Sequence, residues 1–367
     1  MVYMDALFQV DEHAANQQLL VAAREALGLT QTQLAARLSE LVGANPKISQ
    51  GYVSRVEKGA LTVSGDRLAL FATALECTPD LLVEDTKVWS LGEGCVYHRN
   101  RASTKASTLR RLHARINLLR LHLHRLAVAA GQPLPEFTWT PRRVGGMDGA
   151  DDVARAVRSE LGLGRGAIES VTAIAERMGA LVVPMSLGGR EVDATSLHPP
   201  GEAPLFVINT DAPTDRRRFT LGHELGHVAC LPDPDEDVEE MAQQFAAELL
   251  APSAELRDDL RAVPITPARL LQLKAVWRIS AAALLRRAVD LAVISESRYR
   301  SINAQISALG WRTGEPEPLP AEQAVMVPTL VQAAVKAVGG VDAAAAVAGT
   351  TTDNLRELFG NDVIPHI

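Results

Sequence analysis

Residues 220–230 read Thr-Leu-Gly-His-Glu-Leu-Gly-His-Val-Ala-Cys, which contains the pattern His-Glu-x-x-His at 223–227. Positions four apart lie on one face of a helix, so His223 and His227 can hold one metal ion together. Zinc would lower the pKa of a water at that site to about 7, and Glu224 could take the proton. The alternative is two surface histidines and a solvated glutamate on an ordinary helix. The sequence on both sides favours the metal site.

The flanking residues predict that this helix follows a small sheet. Asp211 and Thr214 are candidate N-caps, and residues 231–234, Leu-Pro-Asp-Pro, should end the helix. Two stretches rich in strand-forming residues, 180–186 and 204–209, precede it. We expect 204–209 to be an edge strand that pairs with an extended substrate.

A third metal ligand is expected downstream, in residues 236–252. At helical spacing this segment has one apolar face, and Glu239 lies at its border. A carboxylate that enters the interior needs compensation, which a metal provides, so Glu239 is the preferred ligand and Glu240 the reserve. The alternative for Glu239 is a solvated acid in a first helical turn, where the helix dipole favours it.

Together these residues resemble the ImmA/IrrE family of metallopeptidases. The resemblance rests on His-Glu-Leu-Gly-His, Glu239 and the run from Ala242 to Pro252, and matching motifs extend it over residues 150–320. It implies Zn²⁺ bound by His223, His227 and Glu239, with Glu224 as general base. It also implies a specific protein substrate, such as a transcriptional repressor, and a role in stress response.

The N-terminal region predicts DNA binding. Residues 48–59 read Ile-Ser-Gln-Gly-Tyr-Val-Ser-Arg-Val-Glu-Lys-Gly, with an N-cap at Ser49, a stop at Gly59 and two valines facing inward. Residues 18–82 resemble the helix-turn-helix of XRE-type regulators, although 39–47 is longer than their usual turn. Such a second helix enters the major groove, where Gln and Arg read bases. The expected DNA-binding residues are Gln31 at a phosphate, Gln50 and Arg55 at bases, and Ser49 and Ser54 beside them.

A basic helix is predicted next. Residues 1–85 hold 6 basic and 11 acidic side chains, whereas 94–135 hold 8 Lys/Arg and no Asp or Glu. Apolar residues from Leu109 to Ala130 repeat at three and four, as in a heptad seam. The helix is either a dimer helix that adds phosphate contacts or an intramolecular helix with solvated arginines. Its histidines, His113, His122 and His124, are expected at the surface, and His198 could reach the metal cleft from a loop.

Composition and length predict several domains and an α+β, mostly helical fold class. The chain has 367 residues, a net charge of −7 and 47% hydrophobic residues. It lacks a membrane-length apolar run, a signal-peptide pattern and a disulfide framework, so we expect a cytoplasmic protein without membrane partners. The predicted parts are an all-α lambda-repressor-like helix-turn-helix domain (1–85), a basic connector (86–135), a zincin-like metallopeptidase core with a small sheet (150–262), a helical extension (263–320) and a helical tail (321–367).

Two classes of function follow. The first is a DNA-binding regulatory zinc metalloprotease, whose partners are an operator duplex and a protein substrate and whose assembly as a homodimer stays open. The second is a transcriptional regulator whose peptidase fold is a non-catalytic sensor or dimerisation module. The intact His-Glu-x-x-His pattern favours retained metal binding. Neither this pattern nor the outward-facing Gln50 and Arg55 of the N-terminal region establishes that the protein turns over a substrate.

Overall fold

Helices outnumber strands among the described residues, and the fold is α+β and mostly helical, as the sequence predicts. The computed structural model describes residues 14–43, 47–89, 96–100, 104–146, 148–360 and 363–364, with 96–100 described in the backbone alone. The chain divides into two compact units. The first draws on Met1–Val96, Ala102–Leu134 and Val327–Ile367, and the second on Tyr97–Arg101 and Pro135–Met326.

Five helices around one apolar core open the first unit. They are α1 (Gln17–Ala26), α2 (Gln31–Val42), α3 (Gln50–Glu57), α4 (Gly65–Ala74) and α5 (Pro79–Leu82). Val53 and Val56 of α3 are buried, as their spacing predicts. Thr30 and Ser49 cap α2 and α3 by accepting hydrogen bonds from backbone N–H groups of the first turns, which have no partner inside a helix. Gly59 ends α3 in the left-handed region at φ 72°.

The turn between α2 and α3 is tied back to α2. The Ser39 hydroxyl donates to the Ala35 carbonyl at 2.8 Å and accepts from the Ile48 N–H at 2.9 Å. Helix α2 continues to Val42, so it takes up part of the segment 39–47 that the sequence suggests is a long turn. Residues 44–46 lie outside the described residues.

A long helix, α6 (Ala106–Ala130), completes the core of the first unit. Its apolar seam packs within the chain, against α1 and the C-terminal helix Val341–Ala348. The seam residues that are buried in this way are Leu112, Ile116, Leu119, Leu123 and Leu126. Of the two interpretations of this basic helix, the structure supports the intramolecular one.

The prediction that the histidines of α6 lie at the surface is wrong for His113 and His122, which are both buried. His122 Nδ1 lies 2.7 Å from the Ala348 carbonyl oxygen, to which it donates. This hydrogen bond offsets the cost of burying the polar imidazole. Burial lowers the pKa of His122 to about 4, so the buried ring is neutral at pH 7.

Among the described residues, the strands lie in the second unit, apart from Val96 at the start of β1, and so do most of the remaining helices. Its strands are β1 (Val96–Asn100), β2 (Arg142–Val144), β3 (Leu181–Met185), β4 (Val192–Leu197), β5 (Leu205–Asn209) and β6 (Cys230–Pro232). Its helices are α7 (Ala150–Glu160), α8 (Val171–Arg177), α9 (Thr214–Ala229), α10 (Val238–Leu250), α11 (Ser253–Ala262), α12 (Pro267–Trp277), α13 (Ala281–Asp290) and α14 (Glu296–Ala308).

The main sheet has the strand order β1-β4-β5-β3. Strand β5 pairs in parallel with β3 and antiparallel with β4, so the prediction that 204–209 is an edge strand is wrong. Strand β4 was not predicted from the sequence, because its residues Val-Asp-Ala-Thr-Ser-Leu are polar at three of six positions, yet all six are buried. Strand β4 is therefore the strand that lies between β5 and β1.

Helix α9, which carries the His-Glu-x-x-His pattern, begins and ends differently from the prediction. Pro213 occupies the N-cap and no side chain caps the helix, so neither Asp211 nor Thr214 does so. The Asp211 carboxylate instead accepts from the Ser186 hydroxyl at 2.8 Å. The helix ends at Ala229 because the chain enters β6, which pairs in parallel with β2.

Helices α9 and α10 are packed unusually closely at Gly226. A Cβ atom at Gly226 would lie 2.9 Å from Ala242 Cα, whereas one at Gly222 would lie at an ordinary 3.5 Å from Ala246 Cβ. The two contacts run in opposite sequence directions, so the helices are antiparallel. This pairing brings the first turn of α10 beside the last turns of α9.

The segment that follows α14 is held on the second unit by two half-buried glutamates. Glu315 accepts from Lys274 Nζ at 3.1 Å and from the N–H of Ala281 at 2.8 Å, at the start of α13. Glu322 forms an ion pair with the buried Arg218 of α9. The Pro-rich stretch between them is therefore anchored at both ends.

Three helices form the tail, α15 (Met326–Val338), α16 (Val341–Ala348) and α17 (Thr352–Phe359). The last two are short and are joined by residues 349–351. Among the described residues, no single helix is long and apolar enough to cross a membrane, although α15 and α16, bent by 108°, pass that test as a pair.

Candidate metal centre and DNA-binding helix

His223, His227 and Glu239 meet in the second unit, each with a ligand atom within 4.8 Å of the others. The two Nε2 atoms are 3.2 Å apart. Glu239 Oε2 lies 3.2 Å from His223 Nε2, and Oε1 lies 3.5 Å from His227 Nε2. The pattern on α9 and the first turn of α10 thus provide one cluster of three metal-ligating groups.

These distances suit tetrahedral zinc. Two ligands at about 2.1 Å from a tetrahedral ion lie about 3.4 Å apart, close to all three separations. Both imidazoles are buried, while the Glu239 side chain is 68% exposed, so the site opens to solvent on the Glu239 side. Burial, followed by repulsion from His223, lowers the pKa of His227 to about 4 and keeps it in the neutral form that binds metals.

Glu224 lies beside this cluster and is fully buried. Its Oε2 atom accepts from the Ser196 hydroxyl at 2.5 Å. Ser196 belongs to β4, so this strand fixes the orientation of the carboxylate from the sheet side. A buried, oriented carboxylate next to three metal-ligating groups has the arrangement that a general base requires.

His198, one residue beyond β4, also reaches the site. It packs edge-on against Phe206 with ring centroids 5.5 Å apart. Burial, followed by repulsion from the nearby His227, lowers the pKa of His198 to about 3, so its imidazole is neutral at pH 7. Its electrostatic interaction with His227 agrees with the expectation that His198 could reach the cleft. Ser196 and His198, two residues apart, thus lie next to Glu224 and His227, respectively.

Neighbouring candidate groups do not join the cluster. Glu240 is exposed and accepts from Gln244 one turn later at 3.1 Å. Cys230 is buried, and burial raises the pKa of its thiol to about 12. The Asp237 carboxylate caps α10 by accepting from the N–H groups of Glu239 and Glu240, which fixes the turn that carries the third ligand.

The predicted DNA-contacting residues lie on α3 and at the start of α2. Gln50 and Arg55 are exposed, Ser54 is half-buried, and Ser49 is exposed but serves as the N-cap. Gln31 lies at the start of α2, and its Oε1 accepts from Gln50 Nε2 at 2.7 Å. The two glutamines therefore form one surface group at paired helix N-termini.

The Gln31–Gln50 pair is held in place by hydrogen bonds to residues that lie deeper in the domain. Gln31 Nε2 donates to Glu57 Oε2 at 2.8 Å, and Glu57 is held by the buried Arg24 through bonds of 2.6 and 3.1 Å. Gln31 and Gln50 are thus fixed before any ligand binds, which reduces the entropy lost on binding.

Two family models match the chain. Residues 20–82 match the model described as Helix-turn-helix, and residues 175–289 match the one described as IrrE N-terminal-like domain. A search of curated proteins found no match. The chain therefore joins an XRE-type helix-turn-helix domain to an IrrE/ImmA-like peptidase domain, which confirms the architecture that the sequence predicts. This pairing supports a DNA-binding regulator that carries a peptidase-family module.

Three residues of these sites were not predicted from the sequence: Ser196, which holds Glu224, and the ion pair of Arg24 and Glu57 behind Gln31. Ser196 lies two residues before His198, and that spacing on a strand was the only signal that the two share a face. Arg24 and Glu57 are 33 residues apart, and their charges alone do not indicate a pair.

Proposed function

We propose that this chain is a DNA-binding regulatory zinc endopeptidase that cleaves a specific protein, such as a transcriptional repressor. The observation that carries the proposal is the convergence of His223, His227 and Glu239 at tetrahedral spacing beside the buried Glu224. These three residues would hold the zinc ion, and the exposed Glu239 side leaves room for a fourth ligand.

The residues around the metal have separate tasks. Zinc, when bound, polarises the scissile carbonyl and lowers the pKa of a coordinated water to about 7. Glu224 takes the proton of the attacking water on its carboxylate and passes it to the leaving amine. Ser196 donates to that carboxylate and holds its orientation. His198 is neutral at pH 7 and adds no positive charge that would oppose metal binding.

The helix-turn-helix domain supplies the second half of the function. Gln50 and Arg55 contact base edges of an operator duplex, and Gln31 anchors a phosphate from the start of α2. Support comes from the exposure of Gln50 and Arg55 on α3 and from the braced Gln31–Gln50 pair. DNA binding would deliver the peptidase to proteins bound at the same operator.

Zinc content and peptide-bond cleavage test the proposal together. Elemental analysis should give about one zinc per chain for the wild type, in line with a single three-ligand site, and almost none for His223→Ala/His227→Ala. Glu224→Gln should keep the zinc and abolish cleavage of a denatured protein mixture, because the amide cannot accept a proton at neutral pH. Glu240→Gln, a matched change next to Glu239, should keep both zinc and cleavage.

Two results would contradict parts of the proposal. Unchanged zinc in the double histidine variant would remove the metal site, and cleavage by Glu224→Gln at the wild-type rate would remove the assigned base. Zinc binding without cleavage of any protein would select the second class of function, a regulator with a non-catalytic peptidase fold.

A further inference from the structure

A cleft of about 530 Å³ opens on the second unit next to the proposed metal site. It is lined by five arginines, and we call it the arginine cleft. They are Arg190, Arg216, Arg286, Arg287 and Arg312. The Gly310-Trp-Arg-Thr sequence that follows α14 contributes part of its wall, and the metal site does not use that motif.

The cleft begins one helical turn from the metal-ligating residues. Phe219 lines it from α9, four residues before His223, and Gln243 lines it from α10, four residues after Glu239. Positions four apart share a helix face, so Phe219 and Gln243 continue the face that carries the ligands. A peptide bound at the metal can therefore extend into the arginine cleft.

Three of the five arginines are neutralised by carboxylates. Arg216 pairs with Asp193, Arg286 with Asp290 and Arg287 with Glu248. The other acids that line the cleft, Asp215 and Glu315, both bind the buried Lys274 at 2.5 and 3.1 Å. The arginines that remain are Arg190 and Arg312.

Arg190 and Arg312 have no carboxylate partner among the described residues. Arg190 donates to the backbone carbonyls of Asp211 and Thr313, both at 2.9 Å, and Arg312 donates to the Ser307 hydroxyl at 2.7 Å. Both side chains belong to exposed residues and adjoin residue 313. Each guanidinium has five N–H donors and engages only one or two of them here, so each keeps donors for a carboxylate that enters the cleft.

Part of the cleft wall is apolar. Phe219 and Trp311 are half-buried in the cleft, and the buried Ile306 lies with them. A cleft with two uncompensated guanidiniums and an aromatic wall complements an acidic side chain next to an apolar one. The carboxylates that also line it disfavour a nucleic-acid backbone, which would bring one negative charge per phosphate.

We propose that the arginine cleft is the specificity subsite of the peptidase unit and binds an acidic residue beside an apolar one in the protein substrate. The inference rests on the proposed function, because the cleft gains this role from its position beside the metal site. An extended chain rises about 3.3 Å per residue, so the acidic residue lies within about four residues of the scissile bond.

Peptide binding tests the subsite without requiring cleavage. Short fluorescein-labelled peptides with Glu-Glu-Phe at the centre are compared with Gln-Gln-Phe versions by anisotropy, on full-length Glu224→Gln protein. We expect Arg190→Gln/Arg312→Gln to weaken binding of the acidic peptide about tenfold or more and to leave the amide peptide unchanged. Arg257→Gln/Arg261→Gln, on the exposed face of α11 outside the cleft, makes the same charge change and should leave both unchanged.

Three binding results would overturn the subsite. The first is that the protein binds the acidic and the amide peptide equally well. The second is that the α11 control loses as much affinity for the acidic peptide as the cleft variant does. The third is that the cleft variant loses as much affinity for random DNA duplex as for the acidic peptide. The last would assign the cleft to phosphate groups instead.

Cleavage patterns separate the subsite from the proposed function. In a denatured protein mixture digested by the wild type, mass spectrometry should find Asp or Glu enriched within about four residues of the cut bonds. The cleft variant should cut with that enrichment lost, and the α11 control should retain it. If the protein prefers the acidic peptide but cleaves nothing, the subsite is supported and the peptidase activity is contradicted. If it cleaves proteins without the enrichment of Asp or Glu, the peptidase activity is supported and the subsite is contradicted.

Discussion

The close approach of α9 and α10 at Gly226 predicts that an added methyl group there disturbs both stability and metal binding. In Gly226→Ala the new Cβ would lie 2.9 Å from Ala242 Cα and 3.1 Å from its carbonyl oxygen. Carbon atoms pack best at about 3.5–4.0 Å, so α10 must move by roughly 0.5–1 Å. Both nearest atoms are backbone, and no side-chain rotation relieves the contact.

Gly222→Ala is the matched control, because its Cβ would lie 3.5 Å from the nearest atom, an ordinary contact. Both substitutions gain about 1 kcal/mol of helix propensity, so that gain cancels in the comparison. The difference between their unfolding free energies therefore reports the steric cost, which we expect to be about 1–3 kcal/mol with Gly226→Ala the less stable.

Metal affinity provides the second measurement. The shift of α10 moves Glu239 away from His223 and His227, and we expect zinc to bind Gly226→Ala at least about tenfold more weakly than Gly222→Ala, the low end of what a lost supporting contact costs. Urea denaturation followed by circular dichroism, and zinc competition against a chelating dye, give the two values. Unfolding free energies within about 0.5 kcal/mol of each other, together with equal zinc affinities, would refute the argument from close packing.

Two further predictions concern the first unit. The unfolded chain protonates His122 near pH 6.5 and the folded chain only near about 4, so stability falls as the pH drops below 6.5 and the loss is complete near 4. Between pH 7 and 5 the wild type should lose about 2 kcal/mol of unfolding free energy through this group. His122→Asn keeps a donor for the Ala348 carbonyl, and its unfolding free energy should fall by that much less over the same range. If the unfolding free energies of the two proteins fall equally with pH, His122 is excluded as the cause. On duplexes selected from a random pool, Arg55→Ala should cost about 1–3 kcal/mol of binding free energy and relax specificity at one base pair. Arg110→Ala, an exposed change on α6, is the control and should leave the specificity profile unchanged. Identical profiles for the two variants would contradict base contact by Arg55.

Local patterns in the sequence predicted the elements whose chemistry is local. The two histidines on α9 share a face because they are four residues apart, and Ser49 starts α3 because its side chain reaches a backbone donor three residues later. The apolar stretches 180–186 and 204–209 do form strands. In each case the deciding interaction lies within one turn or one strand.

Features set by distant partners were not predictable in this way. Strand β4 is polar in sequence, yet the sheet, α9 and the Glu224 carboxylate make its buried polar atoms acceptable. Glu248 lies on what its spacing suggests is the polar side of α10, but it is buried by ion pairs with Arg155 and Arg287. The position of β5 inside the sheet depended on finding β4 first. The strand order could not be derived from hydrophobic periodicity alone.

Because of the strand order, a peptide that pairs with β4 would have to compete with β1. Strand β1 covers the side of β4 that faces away from β5, and β4 carries Ser196 next to the metal cluster. Any extended peptide that adds to β4 on that side must displace β1 and replace its ladder hydrogen bonds. Strand β1 belongs to the same chain as β4, and a segment tethered in this way has an effective concentration on the order of millimolar. A peptide that offers only backbone pairing would have to reach about that concentration to replace β1 in half of the molecules. A dilute peptide could therefore exchange with β1 only if side-chain recognition elsewhere added to the backbone pairing.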